Sequence, residues 1–320
     1  MFWGYLLILI SSIFISAMAT VRKEYQRSTN AALKTAIVFV IVSSLFVCAV
    51  GLIHCIGTNF SWVKKMDGFV VKLSLAYAVI LTVTTILCVI GTKYGSLAMV
   101  VMFATLGILV ISTLYGLIFE PEKNRLNAFN IIGFFIVAVI IALNFISEKK
   151  KETANGETET KNKKIFVLIC LGVFVFNGCA LSVYSIFQTH RPTYGGFNFI
   201  FLYLLFSILF CLVFLFGLFL FERKKKDDNE RESGSVSVKD CLKLRPFLCS
   251  CAYGAVFVVA EICSLSAIAI LPIVIQAPLA FAVDVIVVAT ADYFLYRQKL
   301  SKLQLFQMAL AVLSGICFAL

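Results

Sequence analysis

Long apolar runs alternate with short polar segments along the whole chain. Ten of these runs have about the 17–25 residues that a helix needs to cross a hydrocarbon core of about 30 Å. Open strands cannot cross lipid because their backbone groups would stay unpaired, so the pattern predicts ten transmembrane helices. Their expected spans are 2–21, 33–57, 69–92, 95–119, 127–146, 165–188, 197–221, 246–270, 273–295 and 303–320.

Two polar segments interrupt this pattern and divide the chain. Residues 148–164 are rich in Lys, Glu, Thr and Asn, and they are expected to form a solvated linker between two halves of five spans each. The first five-helix repeat would cover residues 1–147 and the second residues 165–320. Residues 222–245 are expected to form a charged loop inside the second half.

The two halves resemble each other weakly in sequence and more clearly in layout. An Ala-Tyr pair ends at Tyr77 in the third span and recurs at Tyr253 in the eighth, 176 residues later. Because each half has an odd number of spans, the second must enter the membrane in the opposite sense from the first. We therefore expect an all-α polytopic membrane protein whose ten transmembrane helices form two inverted five-helix repeats.

The composition agrees with a membrane protein and limits the function classes. Of the 320 residues, 61% are hydrophobic and 14% are charged, whereas soluble domains carry about 25% charged residues. The net charge of +11 arises largely in the loops of one side, which hold 22 of the 28 Lys and Arg residues. This bias predicts a cytoplasmic surface that faces anionic lipid, with both termini outside, and no nucleic-acid binding. We expect a monomer or homodimer in the cell membrane.

No motif for a cofactor, a metal or a catalytic nucleophile is apparent. The eleven cysteines lie mostly within spans and lack framework spacing, so they are expected to act as small apolar fillers. Cys249 and Cys251 have no His or acidic neighbours that would complete a metal site. No phosphate-binding loop, dinucleotide-binding glycine pattern or nucleophile elbow occurs. We therefore expect no cofactor.

Two carboxylates lie deep in apolar runs near the end of the chain. Glu261 precedes Pro272 by 11 residues and Asp284 follows it by 12, so both would reach a similar depth in an antiparallel helix pair. A charge at mid-membrane costs about 2.5–3.5 kcal/mol on insertion scales and usually faces a bundle interior or a wet pathway. We predict that the two acids share a proton near neutral pH and bind a substrate or a proton. The alternative is that either acid only locks helices together.

A stretch in the last two spans resembles a known family. The segment Gln276-Ala-Pro278-Leu-Ala-Phe281, the apolar run after it and the turn Gln298-Lys-Leu-Ser301 resemble the second repeat of the EamA-like branch of the drug/metabolite transporter superfamily. Gln298 stands where that family usually has Glu, and the fourth span lacks a matching proline. The ten-span layout extends the resemblance over the whole chain.

The resemblance carries expectations about mechanism. Members of this superfamily move small metabolites, amino acids, nucleotide sugars or cationic compounds by alternating access through a cavity between two repeats. By that resemblance, spans 1, 3, 4, 6, 8 and 9 would line the path here. The resemblance also implies cytoplasmic termini, opposite to the loop charges, and both orientations stay open.

Other polar and aromatic side chains are candidates for the same path. Asn177 and Tyr184 lie on one face of the sixth span, where hydrogen bonding between helices is the alternative. Tyr77 and Tyr253 would offer ring faces to a cation, with anchoring at the membrane interface as the alternative. Pro278 is predicted to bend the ninth span. The set predicted to bind substrate or protons is Glu261, Asp284, Gln276, Asn177, Tyr184, Tyr253, Tyr77 and Thr85.

These observations predict a secondary active transporter of a small polar solute. A cationic metabolite is one candidate, with proton coupling through Glu261 and Asp284, and the expected partners are the substrate, membrane lipid and protons. The alternative is an integral membrane enzyme that acts on a lipid-linked substrate, with either acid as general acid or base. Such an enzyme would need a lateral opening and catalytic groups near an interface, whereas both acids lie at mid-depth.

Overall fold

The computed structural model describes most of the chain. The described residues are 2–29, 33–58, 60, 62–95, 97–119, 127–152, 157–191, 193–228, 241–271, 273–296 and 302–319. Within these ranges only the backbone is described for residues 98, 144–152, 157–163, 222–228, 273–276, 278–279, 282, 285, 289, 292, 296, 304 and 318–319.

Ten α-helices and one short 3-10 turn, Val63–Lys65, account for nearly all of these residues, and none of them forms a strand. The helices are α1 (Phe2–Thr29), α2 (Leu33–Gly57), α3 (Gly68–Tyr94), α4 (Leu97–Phe119), α5 (Ala128–Glu152), α6 (Glu157–His190), α7 (Gly196–Asp228), α8 (Leu244–Ile268), α9 (Ile273–Tyr296) and α10 (Lys302–Ala319).

Seven of the described helices are long and apolar enough to cross a membrane. They are α1, α2, α3, α4, α6, α7 and α8, while α5, α9 and α10 carry shorter apolar stretches. The expectation of an all-α polytopic membrane protein is thus confirmed. Ten membrane crossings in two inverted repeats remain a prediction.

Several helices continue beyond the apolar runs that predicted them. Helix α1 runs eight residues past the expected end at residue 21, and α6 begins within the segment expected to be a solvated linker. Lys, Glu, Arg and Gln have good helix propensity, so a polar sequence without Gly or Pro continues a helix that an apolar run has begun. The extension of α1 places Arg22 and Lys23 inside the helix and buries both side chains.

The main helix contacts join the first half of the chain to the second. Helix α1 packs extensively on α8, and α3 packs on α6 in a corresponding way. Helix α4 packs against both α6 and α9, α2 against α7 and α5 against α10. The two halves therefore interdigitate and bury a common core instead of forming two separate bundles.

Glycines allow the closest of these approaches. An added Cβ at Gly107 of α4 would lie 2.0 Å from the Phe174 carbonyl oxygen of α6, and one at Gly178 would lie 2.6 Å from the Gly107 carbonyl oxygen. On α8, an added Cβ at Gly254 would lie 2.8 Å from the Ser43 carbonyl oxygen of α2. Small residues let membrane helices approach closely, so that backbone dispersion contacts hold them together.

Helices α8 and α9 do not form the side-by-side pair that the sequence suggested. They have few contacts with each other, and α1 packs against both of them. Glu261 and Asp284 thus reach the bundle interior from different sides of α1. The prediction of an antiparallel pair is wrong here, because each of the two helices packs mainly against other helices of the bundle.

Candidate functional site

A cavity of about 120 Å³ lies in the interior of the bundle. Its walls come from α1, α3, α4, α6, α8 and α9, the six spans that the family resemblance predicts to line a transport path. The polar and aromatic side chains around it are Arg22, Tyr77, Thr84, Thr85, Thr105, Asn177, Tyr184, Tyr253, Phe257, Glu261, Ser264 and Asp284. Seven of the eight residues predicted to bind substrate or protons are in this set. The eighth, Gln276, and the predicted kink residue Pro278 lie on α9, where their side chains are outside the described part.

Glu261 enters the cavity from α8. Its Oε2 atom is buried and has no hydrogen-bond donor among the described residues. The Tyr77 ring of α3 lies near enough to interact with it electrostatically. One turn further along α8, Ser264 shares a hydrogen bond of 2.8 Å with Ser11 of α1, and Ser11 also bonds to the Ala260 carbonyl at 3.0 Å. These bonds fix α8 against α1 beside the carboxyl group.

Asp284 enters from α9 and is only 2% exposed. The Ser12 hydroxyl of α1 lies beside it and also donates a hydrogen bond of 3.5 Å to the Ala280 carbonyl of α9. Its Oδ1 atom has no donor among the described residues. Asp284 thus has a hydroxyl beside it and one buried oxygen that no described donor reaches, which suits it to bind a ligand or a proton.

Aromatic rings form one wall of the cavity. Tyr77 stacks on Tyr184 with ring centroids 4.6 Å apart, and the Tyr184 and Tyr203 hydroxyls share a hydrogen bond of 3.3 Å. Tyr77 and Tyr253 are 2% and 5% exposed, so the alternative that they anchor the protein at the membrane interface is wrong. Their ring faces belong to the bundle interior.

Asn177 both joins two helices and lies on the cavity wall. Its Nδ2 atom donates a hydrogen bond of 3.0 Å to the Ala104 carbonyl and so ties α6 to α4. The same side chain also lines the cavity. Thr85 lines the wall on α3 and is 5% exposed.

Five of the polar and aromatic lining residues are not in the predicted set, and Arg22 is the one among them that carries a charge. The apolar run ends at residue 21 and thereby places Arg22 among the loop charges, but α1 continues and leaves its side chain only 9% exposed. The guanidinium lies 5.8 Å from the centre of the Tyr253 ring and beside the Cys88 thiol. Its Nε atom has no acceptor among the described residues. The spacing of Ile15, Met18 and Arg22 could have indicated the position of Arg22, because residues three and four apart lie on the same face of a helix.

The site offers charge, hydrogen bonds and ring faces. Among the residues that the structure describes, no three His, Cys, Asp or Glu side chains come together as metal ligands. One guanidinium, two carboxyl groups and an aromatic wall surround a space of a size suited to a small solute. Such a constellation can hold a charged or dipolar molecule, and a carboxyl group there can exchange a proton with it.

Comparison with known proteins bears on the fold and not on the activity. No family model and no curated protein sequence matches the chain. Twenty-four chains among the solved structures match it. One of them, titled "Crystal structure of protein", is 15% identical, with a TM-score of 0.52 over 99% of this chain and 96% of that chain. At this identity the likeness shows that the two chains share a fold and nothing about substrate.

Proposed function

We propose that this protein is a secondary active transporter that moves a small polar metabolite by alternating access. The observation that carries the proposal is the central cavity, whose walls come from both halves of the chain and into which Glu261 and Asp284 project. Buried acids in a membrane bundle usually mark substrate or ion pathways because their desolvation is costly. A proton that alternates with the solute on one of these acids would couple transport to a gradient.

The proposal includes membership of the EamA-like branch and two inverted repeats of five spans. Its support is the pattern of helix contacts, which stays the same when each helix of the first half is exchanged with the helix at the same position in the second half. The α1–α8 contact has its counterpart in α6–α3, and α3–α7 has its counterpart in α8–α2, while α2–α7, α4–α9 and α5–α10 pair with themselves. This pattern is what a twofold axis in the membrane plane would produce.

Two ion pairs join the halves at opposite ends of the bundle. Asp67, just before α3, pairs with Arg191, just after α6, and Glu24 near the end of α1 pairs with Arg245 at the start of α8. The two pairs occupy equivalent positions in the two halves, but the acid of one pair stands where the other pair has its arginine. If each helix crosses the membrane, the pairs lie on opposite faces, where each would hold the halves together and close one entrance.

Asp67 both caps the start of α3 and binds Arg191. It accepts hydrogen bonds of 2.9 Å from the Val70 backbone N–H and of 2.8 Å from Arg191 Nε. These partners, the Val70 amide first, lower the pKa of the Asp67 carboxyl group below its usual range. The carboxylate is therefore charged throughout the neutral range, and the contact weakens only in acid, as the carboxylate takes up a proton.

Removal of this ion pair should change the rate of solute exchange. Asp67→Asn keeps an oxygen that can cap α3 but removes the charge, and Arg191→Gln removes the partner. Because an exposed ion pair contributes little, each change should alter the exchange rate of reconstituted protein by roughly two- to fivefold. The double variant should match either single variant, since all three break the same contact. Additive effects would show that the two side chains act separately.

Reconstitution into liposomes tests the function itself. We expect purified full-length protein to carry a small polar solute across the vesicle membrane faster than empty vesicles do, and an imposed pH gradient to drive accumulation. Equal flux in vesicles with and without the protein, over a panel of amino acids, amines and sugars, would reject transport. Turnover of a lipid-linked compound in the same vesicles would instead favour the enzyme alternative.

A further inference from the structure

One guanidinium and two carboxyl groups line the cavity, and each of them has a buried atom without a hydrogen-bond partner in the described part of the chain. Glu261 Oε2, Asp284 Oδ1 and Arg22 Nε are all buried and lack a hydrogen-bond partner among the described residues. A buried polar atom without a hydrogen-bond partner is unfavourable, so groups of this kind usually bind one another, a metal or a ligand. Three such groups around one cavity indicate that a ligand completes their bonding.

Arg22 is the group that sets the class of this ligand. Its neighbours in the cavity are the Tyr253 ring and the Cys88 thiol, and a thiol is a weak hydrogen-bond partner. A planar guanidinium binds a carboxylate through two parallel hydrogen bonds, which makes Arg the preferred partner for that group. The Tyr253 ring behind the guanidinium holds it in place by a cation–π contact.

The acids lie further along the same cavity. Tyr253 precedes Glu261 by eight residues on α8, which corresponds to about 12 Å of helix rise. Arg22 and Glu261 both line the cavity, so a ligand in it can contact both side chains. The cavity thus has a cationic end at Arg22 and an acidic end at Glu261 and Asp284.

We propose that the solute is a small zwitterion that carries one carboxylate and one ammonium group, such as a free amino acid with a short side chain. Arg22 binds its carboxylate, and Glu261 or Asp284 binds its ammonium group. The stacked Tyr77 and Tyr184 rings contact its apolar part. The volume of about 120 Å³ sets the size, since a cavity of about 150 Å³ holds a molecule as large as benzene. This inference rests on the proposed transport function and narrows its substrate class.

Matched ligands test the inference without any change to the protein. L-alanine, L-serine and L-valine would be compared with their amides, which lack the carboxylate, and with their N-acetyl derivatives, which lack the ammonium group. The measurement is thermal stabilisation of the purified full-length protein in detergent. We expect at least one amino acid to stabilise it, and its amide and N-acetyl derivative to need at least about tenfold higher concentrations for the same shift.

Variants of Arg22 then locate the carboxylate. Arg22→Gln should bring the concentrations of amino acid and amide that give equal shifts to within about twofold, and Arg22→Lys should restore part of the difference because it keeps the charge without the planar fork. Equal stabilisation by amino acid and amide in the native protein would overturn the inference, as would a preference for the amino acid that survives Arg22→Gln. If no amino acid shifts the melting but vesicles still transport another polar solute, the inference fails and the proposed function stands.

Discussion

Gly107→Ala is expected to destabilise the folded protein by about 3 kcal/mol or more, at the upper end of the usual cost of overpacking. The added Cβ would lie 2.0 Å from the Phe174 carbonyl oxygen, which belongs to the α6 backbone and cannot rotate away as a side chain would. Helices α4 and α6 would have to separate. Because both of them line the cavity, their separation should also weaken any ligand-induced stabilisation. Thermal unfolding of the purified protein in detergent measures the first effect.

Gly217→Ala provides the matched control. Gly217 lies within α7, and an added Cβ there would meet no heavy atom within 4 Å. The intrinsic preference of Ala over Gly in helices, about 1 kcal/mol, should leave this variant as stable as the native protein or slightly more so. Equal melting temperatures for the two variants would contradict the close approach of α4 and α6.

The helical, membrane-spanning fold could be predicted because lipid leaves the chain few options. Span length and apolar composition are enough to predict helices when no water is present to satisfy the backbone. Helix ends were harder, since α1 and α6 extend into polar sequence whose helix propensity the apolar pattern does not record. The neighbours of each helix were harder still, because most faces are apolar and the periodicity says little about which face meets which partner.

The site residues likewise divide into those that the sequence predicts and those that depend on how the helices end and pack. Glu261 and Asp284 stood out because an acid in an apolar run is costly wherever it points. Arg22 escaped notice because a cation at the end of an apolar run is usually a loop residue that faces water, and only the continuation of α1 buries it. The assumed pairing of α8 with α9 failed because sequence adjacency does not determine packing when α1 can insert between two helices.

Glu261→Gln is expected to abolish gradient-driven accumulation of the solute. If one proton exchanges for one solute molecule, a gradient of one pH unit supplies about 1.4 kcal/mol and concentrates a neutral solute about tenfold, with the membrane potential clamped. Gln keeps the size of Glu but binds no proton, so the accumulation ratio should fall to about one. Exchange of labelled for unlabelled solute at saturating concentration should continue, because it needs no net proton movement.

Asp284→Asn is the comparison that assigns the coupling group. Asp284 has the Ser12 hydroxyl beside it and is 2% exposed, whereas Glu261 is half-buried and its Oε2 atom has no hydrogen-bond donor among the described residues. A proton and a solute can alternate more easily on a carboxyl group that is less enclosed and has no hydroxyl of the described residues bonded to it. Glu261 is therefore the expected coupling residue, and Asp284→Asn should keep most of the accumulation. Tenfold accumulation by Glu261→Gln together with its loss in Asp284→Asn would transfer the role to Asp284. Full accumulation by both variants would mean that neither acid carries the proton, and coupling would have to lie outside this cavity.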